Sequence, residues 1–193
     1  MTSRIHYIYI PGLGDKYDWL RRAGTWHWQL RRGVTRTVVP MRWKSHEPLS
    51  AKYDRVLAAI DSTPAGAAIV VVGESAGGSV ALTVPTLTDR TITVVTFCGK
   101  NTDTQTIGNF YRKNYQTFVE SVTKSESLIT SGTLPKRLLV CYSTLDPVVP
   151  VASSSVPGNE SIAVAVPGHL TAIGWFMLAR FRSVHEWTLR HSA

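Results

Sequence analysis

The 193-residue sequence predicts an α/β protein, a three-layer α/β/α sandwich around a mainly parallel sheet of about six strands. Three observations carry this. Short apolar runs bounded by turn residues recur along the chain, and several are rich in Val and Ile without polar alternation, as a strand covered on both faces requires. Between them lie stretches whose apolar residues follow helical spacing. The two kinds of segment alternate, which is the pattern of parallel strands joined by crossover helices.

In chain order, "RIHYIYIP" (4–11) is the first strand and "VTRTVVP" (34–40) a weaker second one. Residues 49–61 place Leu49, Tyr53, Val56, Leu57 and Ile60 on one side of a helix. "AAIVVVG" (67–73) and "TITVVTF" (91–97) are apolar throughout and read as central strands. Residues 107–129, with Ile107, Tyr111, Tyr115, Phe118, Val119 and Val122, read as one long helix lying over the sheet. "RLLVCYS" (137–143) and "SIAVAVP" (161–167) supply the last strands, joined through a Ser/Pro/Gly-rich connection at 150–159. A helix over 170–181, with Ile173, Phe176, Met177 and Phe181, closes the core, and His185 and His191 fall in a C-terminal tail. No repeat, low-complexity segment or linker divides the chain, so residues 1–193 read as one domain.

Composition narrows the class. With 44% hydrophobic and 18% charged residues, the chain is that of an ordinary soluble globular protein. No apolar run approaches the roughly 18 residues of a membrane span. The residues before Pro11 lack the apolar core of a signal peptide, so the expected location is the cytoplasm. Cys98 and Cys141 each end a strand-like run and read as small buried hydrophobes.

The net charge of +8 is concentrated: residues 1–50 hold nine Lys/Arg against three Asp/Glu. Arg21, Arg22, Arg31, Arg32, Arg36, Arg42 and Lys44 are interleaved with Trp19, Trp26, Trp28 and Trp43. Such a mixture can bind nucleic acid or an anionic surface. No nucleic-acid motif accompanies it, and the favoured reading is a solvated face with the tryptophans packed beneath.

In a parallel sheet, ligands bind beyond the carboxyl ends of the strands, so chemistry belongs in the residues that follow each run. After the first strand comes "PGLGD" (11–15). Tyr17 stands where G-x-G-x-x-G requires glycine, and no phosphate-binding G-x-x-x-x-G-K-[ST] occurs. What is left is a turn whose Gly12 and Gly14 let backbone N–H groups face a substrate. After the third strand comes Gly73-Glu74-Ser75-Ala76-Gly77, a serine between glycines at a strand-to-helix turn, the pattern of a nucleophile elbow.

A serine hydroxyl needs a base to take its proton and an acid to orient that base. His169 directly follows the last strand in "VAVPGHLTA" and reaches the same rim as Ser75. His6 lies within a strand, and His27 and His46 sit among basic loop residues. For the acid, Asp146 just beyond the fifth strand and fixed by Pro147 is favoured over Asp103, which sits in a polar loop. Trp175, just past His169, is placed to line the acyl side.

With these residues the chain resembles the α/β-hydrolase superfamily over nearly its whole length, as one of its small, lidless carboxylesterase-like members. The resemblance rests on the G-x-S-x-G elbow, the order Ser75, Asp146, His169, and the glycine turn after the first strand. It implies backbone N–H groups of Ala76 and Leu13 as an oxyanion hole. It also implies a catalytic triad that cleaves a small-molecule ester through an acyl-enzyme, with no metal or cofactor. Pro11 and Ser143 depart from residues common in the family, histidine and glycine respectively. An acyltransferase, thioesterase or amidase would use the same triad, and a binding module on this fold would use the basic N-terminal third. Residues 98–136 leave little chain for a cap beyond the covering helix, so the cleft is expected to be open and to favour short acyl chains.

Overall fold

The computed structural model describes residues 4–191. Strands β1 (Arg4–Ile10), β2 (Val34–Val38), β3 (Ala67–Glu74), β4 (Ile92–Phe97), β5 (Leu138–Ser143) and β6 (Glu160–Val164) form one sheet in the order β2-β1-β3-β4-β5-β6. Every neighbouring pair is parallel. The chain runs outward from β1 to β2, then returns to lay β3 on the other side of β1 and continues away. This reversal opens a crevice between the carboxyl ends of β1 and β3, where an open sheet of this kind binds ligands.

Helices α1 (Asp18–Trp26), α7 (His169–Leu178) and α8 (Phe181–His191) cover one face. The other face carries α2 (Leu49–Asp61), α3 (Ala76–Thr83) and α5 (Gln116–Thr130), with short α4 (Asn109–Asn114) and α6 (Val151–Ser154) in the loops. Each strand feeds both cores in turn. In β1, Ile8 and Ile10 pack under α2 and α3, while Ile5, Tyr7 and Tyr9 pack under Trp28 and the C-terminal helices. That two-sided burial is why the strands are apolar without alternation.

Three expectations are corrected. The helix foreseen over 107–129 breaks at Tyr115, whose φ of −139° and ψ of 57° are not helical. Phe118 and Val122 of α5 join the core with Ile107, while Tyr111 before the break stays outside it and borders the cleft together with Ile107 and Phe118. The C-terminal residues form α8 rather than a tail, because Phe181, Val184 and Trp187 bury one helical side. Of the four N-terminal tryptophans, Trp28 and Trp43 are buried but Trp19 and Trp26 are exposed.

Two buried histidines make stability pH-dependent. His185 accepts or shares a hydrogen bond with the Tyr7 hydroxyl at 2.8 Å, and His6 reaches Thr35 and Thr37 on β2. Burial lowers the pKa of both, and for His185 the nearby Arg31 adds to this. The unfolded chain therefore binds protons more readily than the folded one. The resulting stability is fully present above the ordinary histidine value of about 6.5 and is lost as pH falls through the lower folded-state values. Urea midpoints are expected to drop below that pH, with a shallower drop in His185→Gln.

Candidate active site

Ser75 stands at the end of β3 and immediately before α3, with φ 49° and ψ −117°. A non-glycine residue there is strained, and the surrounding backbone holds it. The Ser75 N–H donates to the Phe97 carbonyl at 3.0 Å, and its own carbonyl accepts from Lys100 N–H at 2.9 Å and Gly78 N–H at 3.0 Å. Gly77 is glycine because a Cβ there would strike the main chain of Ile10. The elbow thus fits only where β1 and α3 touch.

His169 is the first residue of α7 and Asp146 lies in the loop after β5. His169 Nε2 is 2.8 Å from Ser75 Oγ, and Nδ1 is 2.6 Å from Asp146 Oδ2. A carboxylate only accepts, so Nδ1 carries the proton and Nε2 of the neutral ring is left to accept from the serine. The other Asp146 oxygen accepts from Val148 and Val149 N–H at 2.8 and 3.0 Å, which fixes the carboxylate plane. Asp103 is elsewhere: its carboxylate accepts from Thr106 and Ser153 hydroxyls and faces Lys100 at 3.6 Å.

The turn after β1 supplies the facing wall. Leu13 borders the cleft, Ala76 opens α3, and Gly12 is so close that a Cβ would lie 2.8 Å from that of Ser75. Gly14 has φ 97°, a left-handed turn that leads the chain into α1, and it acts here through its backbone rather than by lining the cleft. Trp175 does not border the cleft. It is two residues past Ile173, about 200° around the helix, so Leu170 and Ile173 face the site while Trp175 faces solvent.

Five residues have roles at the site that sequence reading missed. Glu74, inside the elbow, is 2% exposed and accepts from the Tyr9 hydroxyl at 2.6 Å, Gly12 N–H at 3.2 Å and Arg21 at 2.6–3.0 Å. Arg21 also donates to the Leu13 and Gly14 carbonyls at 3.1 and 3.0 Å, tying the β1 turn to the elbow. Burial and then the Glu74 charge raise the Tyr9 pKa well above its usual value, so Tyr9 stays a donor. Ser143 Oγ donates to the Val166 carbonyl at 2.6 Å and accepts from Leu145 and Val166 N–H, joining the loop of Asp146 to that of His169. Cys98 packs beside Asp146. Burial, and next the Asp146 charge, push its pKa up to about 12, so it remains a neutral thiol.

The Arg21–Glu74 pair gives a stability test. Arg21→Met leaves a buried carboxylate unpaired and is expected to cost about 3–5 kcal/mol. Adding Glu74→Gln removes the stranded charge and should recover part of that loss, read from urea unfolding of both variants.

The cleft at this site has a volume of about 440 Å³ and apolar walls from Ile107, Tyr111, Phe118, Val148, Leu170 and Ile173. Among the described residues no cluster of His, Cys, Asp and Glu is arranged to hold a metal ion, and no helix is long and apolar enough to cross a membrane.

No protein-family model matches the sequence, and no curated protein matches it. Solved structures do. An esterase domain from Rhodothermus marinus superposes with a TM-score of 0.67 at 12% identity, covering 98% of this chain and 88% of that one. Est1E from Butyrivibrio proteoclasticus gives 0.67 at 14% identity, covering 97% and 88%. Acyl-protein thioesterase 2 from Zea mays gives 0.59 at 16% identity, covering 100% and 96%. An alpha/beta hydrolase enzyme from a lagoon-sediment metagenome gives 0.63 at 13% identity, covering 99% and 93%. With a parallel six-stranded sheet between two helical layers and this likeness along nearly its full length, the chain has the α/β-hydrolase fold.

Proposed function

We propose that the protein is a serine hydrolase that cleaves small carboxylic esters through an acyl-enzyme, with Ser75 as nucleophile, His169 as base and Asp146 as the orienting acid. The observation that carries this reading is the unbroken hydrogen-bond chain from Ser75 Oγ through His169 to Asp146, at the mouth of an apolar cleft. His169 Nε2 takes the hydroxyl proton as Ser75 Oγ attacks the ester carbon. The resulting oxyanion is held by the N–H groups of Ala76 and Leu13, which the strained elbow and the Arg21 clamp keep in place. Collapse expels the alcohol, which takes the proton from His169, and a water activated by the same ring then releases the acid. Every step uses the chain's own groups, with no cofactor. A cytoplasmic location is part of the proposal, and the buried free thiols of Cys98 and Cys141 support it.

Labelling with a fluorophosphonate probe tests the nucleophile without a guessed substrate. Wild type is expected to react at Ser75 and the Ser75→Ala protein to stay unlabelled. Labelling that survives in Ser75→Ala would overturn the proposal.

Thr106, Ile107, Gly108 and Tyr111 form one wall of the cleft. Each methylene buried against that wall contributes about 0.8 kcal/mol, but the short wall limits how many can be buried. In a nitrophenyl ester series, kcat/KM is expected to rise across about two to six acyl carbons and then decline. A maximum at ten or more carbons, on the same per-methylene reasoning, would show a longer channel.

A further inference from the structure

The two helical layers differ sharply in surface. On the layer of α2, α3 and α5, none of the three helices exposes a large apolar side chain, and they carry Asp54, Asp61, Glu120 and Glu126. Across the sheet, α1 with the turn that follows it and α7 carry seven of the fourteen large apolar side chains exposed among the described residues. Trp19, Leu20, Trp26 and Leu30 are 48–70% exposed, and Trp175 and Leu178 45–59%. These elements form one surface. A Cβ on Gly24 of α1 would strike the Met177 side chain of α7, and the Trp28 indole N–H donates to the Met177 carbonyl at 2.9 Å.

The charge on this layer is mostly basic: Asp18 at the start of α1 pairs with Arg21, and Glu186 of α8 pairs with Arg182. From Trp19 to His46 the chain has seven Lys/Arg and no Asp or Glu, and residues 161–185 add Arg180 and Arg182 with no acid. Arg21 is consumed by Glu74, but Arg22 and Arg32 are exposed and Arg31 lies over the Phe181 ring. Exposed indoles and leucines set among arginines match the boundary of a lipid bilayer, where tryptophan prefers the headgroup level and aliphatic groups enter the acyl region. A nucleic acid would use the arginines and indoles but offers nothing to Leu20, Leu30 and Leu178. A second copy docking by the same face would set arginine against arginine.

We infer that the α1–α7 layer docks the protein on an anionic membrane surface, with Arg22, Arg31, Arg32 and Arg180 against lipid headgroups and Trp19, Trp26 and Leu178 in the interface. Both helices begin at the candidate active site, α1 just past the Leu13 turn and α7 at His169 itself. Docking therefore brings the cleft beside the lipid. The inference concerns binding and does not depend on the proposed hydrolysis.

The test is co-sedimentation of the full chain with phosphatidylcholine vesicles, with and without phosphatidylglycerol. Binding is expected only to the anionic vesicles, weakening as salt rises, with tryptophan emission shifted to the blue and quenched by brominated lipid. Arg22→Gln with Arg32→Gln is expected to lower partitioning about 30-fold, from roughly 1 kcal/mol for each basic residue at the surface. Trp26→Ser with Leu30→Ser should weaken binding and reduce the quenching, leaving Trp19 as the remaining reporter. All four positions are exposed, and circular dichroism checks that each variant is folded. Equal binding to neutral vesicles, no binding at all, or wild-type binding without quenching would overturn the inference. So would tighter binding to a single-stranded oligonucleotide than to anionic vesicles, or a dimer in sedimentation that Trp26→Ser dissolves.

Discussion

Replacing Ser75 with alanine is expected to lower kcat for ester hydrolysis by about 10⁶-fold, the size of loss when a triad nucleophile is removed. The change takes away one hydroxyl at the tip of the elbow. The contacts that hold the turn are backbone ones, Ser75 N–H to Phe97 and the Ser75 carbonyl to Gly78 and Lys100, and alanine keeps all three. The variant should therefore fold with unchanged circular dichroism and near-native unfolding midpoint. A folded Ser75→Ala protein with near-normal turnover would rule out the mechanism.

Asp146→Asn is expected to cost up to about 10⁴-fold in kcat, because an asparagine amide can donate to Nδ1 and so favour the wrong ring tautomer. Nε2 would then carry the proton and could not accept one from Ser75. The amide oxygen at the other position can still accept from Val148 and Val149, so the loop itself should persist. Asp103→Asn is the matched control. Its carboxylate meets Thr106, Ser153 and Lys100 but not His169, so activity should change little while the loop it braces loosens. The reverse pattern of losses would move the orienting acid to the loop after β4.

Much of the site was legible because its signals are local. Gly73 to Gly77 spell a strand-to-helix turn within five residues, and His169 and Asp146 each sit directly beyond an apolar run. The choice between Asp146 and Asp103 was less local, since both follow strands. The structure separates them because β5 lies between β4 and β6, and the β5 loop leans toward the start of α7. Tyr115 was read as one more residue of a helical stripe, yet the backbone breaks there, and Tyr111 before the break borders the cleft instead of the core. Periodicity reports which side a residue faces, not whether the helix is continuous.

By itself the sequence determined the six strands, their parallel sense and the serine turn, since apolar runs, crossover spacing and glycine positions are properties of neighbouring residues. Only the tertiary structure decided what the basic N-terminal third does with its charges and tryptophans. Arg21 and Arg22 are adjacent in the chain, but one faces inward to Glu74, 53 residues away, and the other faces water. Trp26 and Trp28 divide in the same way between solvent and core. A buried ion pair or an exposed indole is set by which distant element a helix packs against, and that information is absent from any short stretch of sequence.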